Sequence, residues 1–166
     1  MPITPIDTGR LIVRSLTESD IDALYDLESD PEVKRYLGGP TRHSRGAYHR
    51  DLLNHPRGEY DLLAIVHKAT GKFGGRCSLK SKRPGDREME IVITRPYWRQ
   101  GLGLEIGLQL IGLAFEDPTI DSVVGVVHPE NLASQGLMKK LGMVPTSEYI
   151  DPDYPANLVF KIGRES

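Results

Sequence analysis

The sequence predicts an α/β (α+β) fold: a mixed, mostly antiparallel central sheet of about six to seven strands flanked by about four helices. Three observations predict it. Apolar residues recur at helical spacing near the start, alternate or run continuously between residues 62 and 94, and then return to helical spacing twice more, each time followed by a strand. The resulting order, β-α-α-β-β-β-α-β-α-β-β, mixes hairpins with helical crossovers. The chain has 166 residues, 39% of them hydrophobic and 27% charged, which suits one domain over residues 1–166 with a core of its own.

Residues 10–16 (RLIVRSL) read as the first strand, and the oxygen-bearing run Thr17-Glu18-Ser19-Asp20 is suited to capping a helix. In the helix that follows, Ile21, Leu24, Tyr25 and Leu27 share one side. Pro31 starts a second short helix through Tyr36, ended by Gly38-Gly39-Pro40, and residues 44–54 form another with Tyr48, Leu52 and Leu53 inward. Residues 62–67, 72–79 and 89–94 are a meander of strands, separated by Thr70-Gly71 and by the polar turn 82–86. Residues 101–116 form a largely buried helix with Leu104, Leu108, Ile111 and Phe115 facing inward. After the strand 122–127 (SVVGVV), His128-Pro129-Glu130-Asn131 leads into a helix ending at Leu141, with Gly142 as its cap. Strands near 144–150 and 157–162 close the chain.

Composition narrows the function. A net charge of −2 is too balanced for an electrostatic nucleic-acid or membrane binder, and no apolar run of about eighteen residues reads as a membrane span. The expected location is the cytoplasm. Cys77 is the only cysteine, and His43, His49 and His55 are six residues apart, so no metal site is expected.

The segment 91–105 (IVITRPYWRQGLGLE) runs from a strand through a short turn into the buried helix. Its physics is that of anion binding. The first N–H groups of a helix lack intrahelical acceptors, the macrodipole is positive there, and glycine lets a phosphate approach the main chain. Gly101-x-Gly103 has two readings at this point, a diphosphate seat on residues 99–104 or tight packing. A dinucleotide fold would put its glycines after an early parallel strand, and a P-loop would close on Gly-Lys-Ser/Thr; neither pattern is present.

Taken with VHPENLASQGLMKKLGM (127–143), the opening strand RLIVRSL and the SDPEVKRYL segment (29–37), that turn carries a resemblance. The chain is similar over nearly its full length to the GNAT superfamily of N-acetyltransferases, in the branch of the ribosomal-protein N-terminal acetyltransferases RimJ and RimL. The resemblance implies the GNAT fold and acetyl-CoA as cosubstrate. The backbone of Arg99, Gln100, Gly101, Leu102, Gly103 and Leu104 would hold the coenzyme A pyrophosphate, and Ile91, Val92, Ile93 and Thr94 the pantetheine arm. Asn131 matches a position that hydrogen-bonds pantetheine, and Ser134 a serine near the thioester sulfur; each reads equally as helix-cap chemistry. Met138 stands where many members carry a tyrosine acid.

An amine acceptor is mostly protonated near neutral pH and must lose a proton before attack. Glu90 matches a family position that often serves as base, and Glu88 shares its strand face; either is otherwise an ordinary strand carboxylate. A backbone N–H near Ile91 or Val92 would meet the oxyanion. Cys77 reads as core packing, His128 as a strand-end histidine or proton shuttle, Tyr97 and Trp98 as anchors under the turn, and Lys139 and Lys140 as solvated dipole partners. Glu148, Asp151 and Asp153 either attract a cationic acceptor or form a solvated turn. The expected partner is an amine, small-molecule or protein N-terminal, and the expected oligomer is a monomer or homodimer. The competing readings are a non-catalytic acyl-CoA sensor of the same fold and an unrelated nucleotide-binding protein.

Overall fold

The computed structural model describes residues 2–165. Its strands are β1 (Ile6–Asp7), β2 (Leu11–Ser15), β3 (Leu63–His67), β4 (Phe73–Lys80), β5 (Asp86–Ile93), β6 (Ser122–Val127), β7 (Val144–Thr146) and β8 (Leu158–Gly163). The helices are α1 (Ile21–Ser29), α2 (Arg45–Asn54), α3 (Leu102–Phe115) and α4 (Leu132–Lys140), with single 3-10 turns at Glu18–Asp20 and Arg95–Tyr97. The strands form one eight-stranded sheet in the order β1-β2-β3-β4-β5-β6-β8-β7. Of the pairings with a defined register, only β5 with β6 is parallel, as the α3 crossover between them requires. No described helix is long and apolar enough to cross a membrane.

Expectation and structure differ at five places, one of them Leu53 of α2, expected inward but 53% exposed because it lies off the side of the helix that carries Tyr48 and Leu52. β1 is an extra strand of two residues, too short for any periodicity to reveal. Residues 31–38 form consecutive turns instead of a helix, with Lys34 N–H bonded to the Asp30 carbonyl and both Leu37 and Gly39 bonded back to Lys34. Pro31 starts a turn here without enough following backbone bonds to propagate one. β7 stops at Thr146. In α3 the buried residues are Leu102, Ile106, Leu110, Ile111 and Ala114; of the four expected inward, Ile111 is buried, Leu104 and Phe115 are half-buried and Leu108 is 55% exposed. That helix is apolar almost all round, so its period fixes the element but not which side faces inward.

The chain divides into two compact units, Met1–Ser78 with Ile91–Leu102, and Leu79–Glu90 with Gly103–Ser166. In the first unit Leu24, Leu27, Val33 and Val92 form a buried cluster under Leu37, Tyr48, Leu52 and Phe73. Ahead of α1, the Asp20 carboxylate accepts from Thr17 N–H at 2.8 Å and takes a forked pair of bonds from Arg14 at 2.7 and 3.0 Å. Burial works against its charge, but Arg14 and the Thr17 N–H hold its carboxyl below the usual range. Glu28, at the end of α1, is buried between Arg76 and Lys34, whose ammonium lies 2.8 Å from Oε2. These two cations overcome burial and keep Glu28 ionised.

A bulge in β4 shapes the end of β5. Ile65 pairs with Gly75 but Val66 pairs with Phe73, which leaves Gly74 as an extra residue. The Gly74 carbonyl accepts from Thr94 N–H at 2.9 Å and from its hydroxyl at 3.2 Å, which ends β5 just before the turn. Gly75 has φ 148, and a Cβ there would lie 2.1 Å from the Val92 carbonyl oxygen. Only glycine fits.

In the second unit Val123, Val124 and Val127 of β6, Phe160 of β8, Ile106 and Leu110 of α3 and Met143 are buried. Gly112, on the exposed side of α3, has nothing within 4 Å of the Cβ it lacks. Gly75→Ala should therefore cost about 3 kcal/mol or more, while Gly112→Ala should gain about 0.5–1 kcal/mol. Urea unfolding of both variants checks this; a neutral Gly75→Ala would mean that β4 and β5 do not approach so closely.

Candidate active site

In the first unit, Ile91, Val92 and Ile93 lead into Arg99, Gln100, Gly101 and Leu102 as one continuous segment. Val92 is buried and its two neighbours are half-buried. The turn is fastened at several points. The Trp98 indole N–H donates to the Ile93 carbonyl at 2.6 Å, and the Gln100 amide donates to the Pro96 carbonyl at 3.2 Å. Arg95 pairs with Asp30 at 2.7 Å, and the Tyr97 ring stacks on His67 at 4.9 Å between centroids. Tyr97 is the anchor the sequence suggested. Trp98 is tied by its indole N–H while 41% of it stays exposed.

Arg99 has φ 60 and Gly101 φ 75, and Arg99 is the only non-glycine with positive φ among the described residues. With Trp98 extended and Arg99 and Gly101 at positive φ, the main chain turns directly into α3, whose first N–H groups lack intrahelical acceptors and suit an anion. Beside Gly101 the nearest atom to a hypothetical Cβ is Arg10 Nη2, at 3.6 Å. That geometry fits a diphosphate lying against the main chain. The Arg10 guanidinium also donates to the Gln100 carbonyl, at 2.8 Å.

In the second unit, the two readings of the glycine motif separate. A Cβ at Gly103 would lie 3.0 Å from Leu137 of α4, so this glycine is small because a helix crosses it. Leu104 is half-buried in the first turn of α3. Asn131 is the N-cap of α4, its side-chain oxygen accepting from Ser134 N–H at 3.2 Å. Ser134 is half-buried. Met138 is buried, its sulfur 2.7 Å from where a Cβ on Gly125 would sit, so it serves packing against β6. His128 accepts from Glu130 N–H through Nδ1 at 3.1 Å, which ties it into the turn before α4.

Glu90 is half-buried in β5. Glu88, two residues earlier, has a perturbed carboxyl. Burial, with help from Asp151 and Glu90, raises its carboxyl above the ordinary value despite Lys82 nearby. The Lys82 ammonium donates to Oε1 at 3.2 Å, while Oε2 is buried and makes no hydrogen bond although that ammonium is 3.0 Å away. Burial opposes the charge on Lys82, but Glu88 and Asp151 hold it up to about 12. Asp151 is fully buried and accepts from Asp153 N–H at 2.8 Å and Tyr154 N–H at 3.1 Å. Glu148 pairs with Lys161 at 2.9 Å. Two of the three acidic residues of this stretch are thus internal ties, Glu148 being held below its ordinary value by Lys161, whereas the carboxyl of Glu88 is raised. Sequence showed only that Glu88 and Glu90 share a face. Burial raises the carboxyl of Glu88, and Asp151, 63 positions away, adds to that rise. Cys77 is buried, and burial pushes its thiol up to about 12, which suits packing and not nucleophilic attack.

Residues 10–144 match the family model of the acetyltransferase (GNAT) domain. The chain is 27% identical over 141 residues to the uncharacterized N-acetyltransferase p20 of Bacillus licheniformis, a match covering 81% of this chain and 79% of that one. Its fold is shared with a spermidine N-acetyltransferase from Vibrio cholerae solved with CoA and spermine (TM-score 0.76, 14% identity, 92% and 94% of the two chains). The fold is equally that of the Salmonella typhimurium acetyl transferase that modifies the N-terminal serine of ribosomal protein L7/L12 (TM-score 0.76, 18% identity, 98% and 100%).

The left-handed cost at Arg99 is about 1–2 kcal/mol for an L side chain. Arg99→Gly should leave thermal stability unchanged or raised, whereas Gly101→Val should lower it. A clear loss of melting temperature in Arg99→Gly would mean that the Arg99 side chain, not its backbone, supports the turn.

Proposed function

The chain belongs to the GNAT acetyltransferase family and is an acetyl-CoA-dependent acyltransferase; from that premise we propose that it acetylates a primary amine by direct attack within a ternary complex. The observation that carries the cosubstrate assignment is the turn with Arg99 and Gly101 left-handed at the start of α3. Arg99, Gln100, Gly101, Leu102, Gly103 and Leu104 present main-chain N–H groups to the pyrophosphate. Gly103 serves this indirectly, through its contact with Leu137. Ile91, Val92 and Ile93 line the pantetheine arm, and Asn131, while capping α4, offers its amide to the same arm. The domain is taken as the whole of residues 1–166, working in the cytoplasm.

Glu90 acts as base, directly or through water. It takes the proton that the ammonium acceptor must lose, so that the nitrogen lone pair forms the new C–N bond. An N–H of the strand near Ile91 or Val92 meets the carbonyl oxygen as it becomes an oxyanion. The C–S bond then breaks, and Ser134 stands to hydrogen-bond the departing thiolate. One observation favours a second base: the raised carboxyl of Glu88, whose buried Oε2 has no hydrogen bond. For the acceptor, the V. cholerae and S. typhimurium neighbours are named for a polyamine and for a protein N-terminus at the same structural similarity. Either a small-molecule amine or a protein N-terminus therefore suits this chain, and we place it in the branch of the ribosomal-protein N-terminal acetyltransferases on the sequence segments quoted above.

Calorimetric titration with acetyl-CoA, ATP and NAD, followed by acetyl transfer to a panel of amines and N-terminal peptides, tests the reading. Micromolar binding of acetyl-CoA alone is expected, worth about 8 kcal/mol. Glu90→Gln should leave that affinity intact and lower kcat about 100-fold, with the acid limb of the pH–rate profile abolished. If Glu88→Gln abolishes that limb and Glu90→Gln does not, the base is Glu88. Folded protein that binds no acetyl-CoA would remove the proposal.

A further inference from the structure

We propose that Arg10 is a positioning residue for the diphosphate: its guanidinium fixes the Gln100–Gly101 peptide so that the Gly101 N–H faces the bound anion. This rests on the reading of the turn given above.

Arg10 stands just before β2, ninety residues from the turn, with its backbone held by Lys68 N–H, which donates to its carbonyl at 3.0 Å. Its Nη1 donates to the Gln100 carbonyl at 2.8 Å, and its Nη2 lies 3.6 Å from the missing Cβ of Gly101. Every described peptide bond is trans. In a trans peptide the C=O and the following N–H point in opposite directions. With the Gln100 carbonyl directed at Arg10, the Gly101 N–H is directed away from it.

That orientation needs an external hold. Left-handed glycine at Gly101 has a broad choice of conformations, so the peptide before it can rotate at little cost. A charge-assisted bond to the carbonyl is about twice as strong as a neutral one, and polarising the carbonyl makes the N–H of the same peptide a better donor. The remaining ties of the turn are separate. Trp98, Gln100 and Arg95 hold it through Ile93, Pro96 and Asp30, none of which involves Arg10. Removing Arg10 should therefore release one peptide and leave the turn in place.

The test compares wild type, Arg10→Ala and Arg10→Lys by calorimetry with coenzyme A, dephospho-coenzyme A and pantetheine, each alongside a melting curve. Arg10→Ala should lose about tenfold in affinity for both diphosphate ligands equally and keep its affinity for pantetheine. Arg10→Lys, which can still donate to the carbonyl, should recover most of the loss. A loss confined to coenzyme A would overturn the inference, since Arg10 would then serve the 3′-phosphate. Equal losses that include pantetheine, or no loss at all, overturn it as well. Failure of the wild type to bind any of the three ligands would instead sink the proposed function, before the variants are compared.

Discussion

Helix α4 lies in a groove made of missing side chains. Leu137 and Leu141 fill the spaces where Gly103 and Gly107 of α3 carry no Cβ, and Met138 does the same at Gly125 of β6. A methyl group at Gly107 would meet Leu141 at 2.7 Å and one at Gly125 would meet the Met138 sulfur at the same distance, so each alanine would force those side chains to shift. The last turn of α4 thus packs where three glycines leave room, two turns after the Asn131 cap. Met138, whose thioether has no proton to give, is a packing residue.

Charge plays a different part. Glu28, Asp20 and Asp151 are buried carboxylates, and each is matched by cations or backbone N–H groups. Such pairs contribute little net stability, because desolvation offsets their attraction, but losing one partner is expensive. They therefore fix geometry more than they add free energy. Glu88 is the exception, since burial and two neighbouring carboxylates outweigh its lysine. A carboxylate left in that condition on the strand leading to the glycine turn is suited to accepting a proton, whereas a well-paired one is not.

Much of the fold was legible. The meander, the α3 crossover and β6 follow from runs long enough for their period to be unmistakable. The Asn131 cap and the Gly142 stop are local chemistry, and both are seen, with Gly142 at φ 84. The misses share a cause. β1 and the turns after Pro31 are short segments whose conformation is decided by what they pair with. In α3, Leu104 and Leu108 matched the helical period as well as Ile106 and Leu110 did, and only the glycines at 103 and 107, placed against α4, select the buried side.

By itself the sequence determined the elements, the glycine turn and the resemblance to an acetyltransferase family, because these rest on periods and motifs carried by neighbouring residues. It also placed Glu88 and Glu90 on one strand face, since alternation is a local property. The raised carboxyl of Glu88 was decided by burial, with Asp151 adding to it against Lys82, and the orientation of the Gln100 carbonyl by Arg10, ninety positions earlier. Tertiary structure alone decided these points, because burial and hydrogen bonding depend on which distant residues meet in space, and nothing in the local sequence records those meetings.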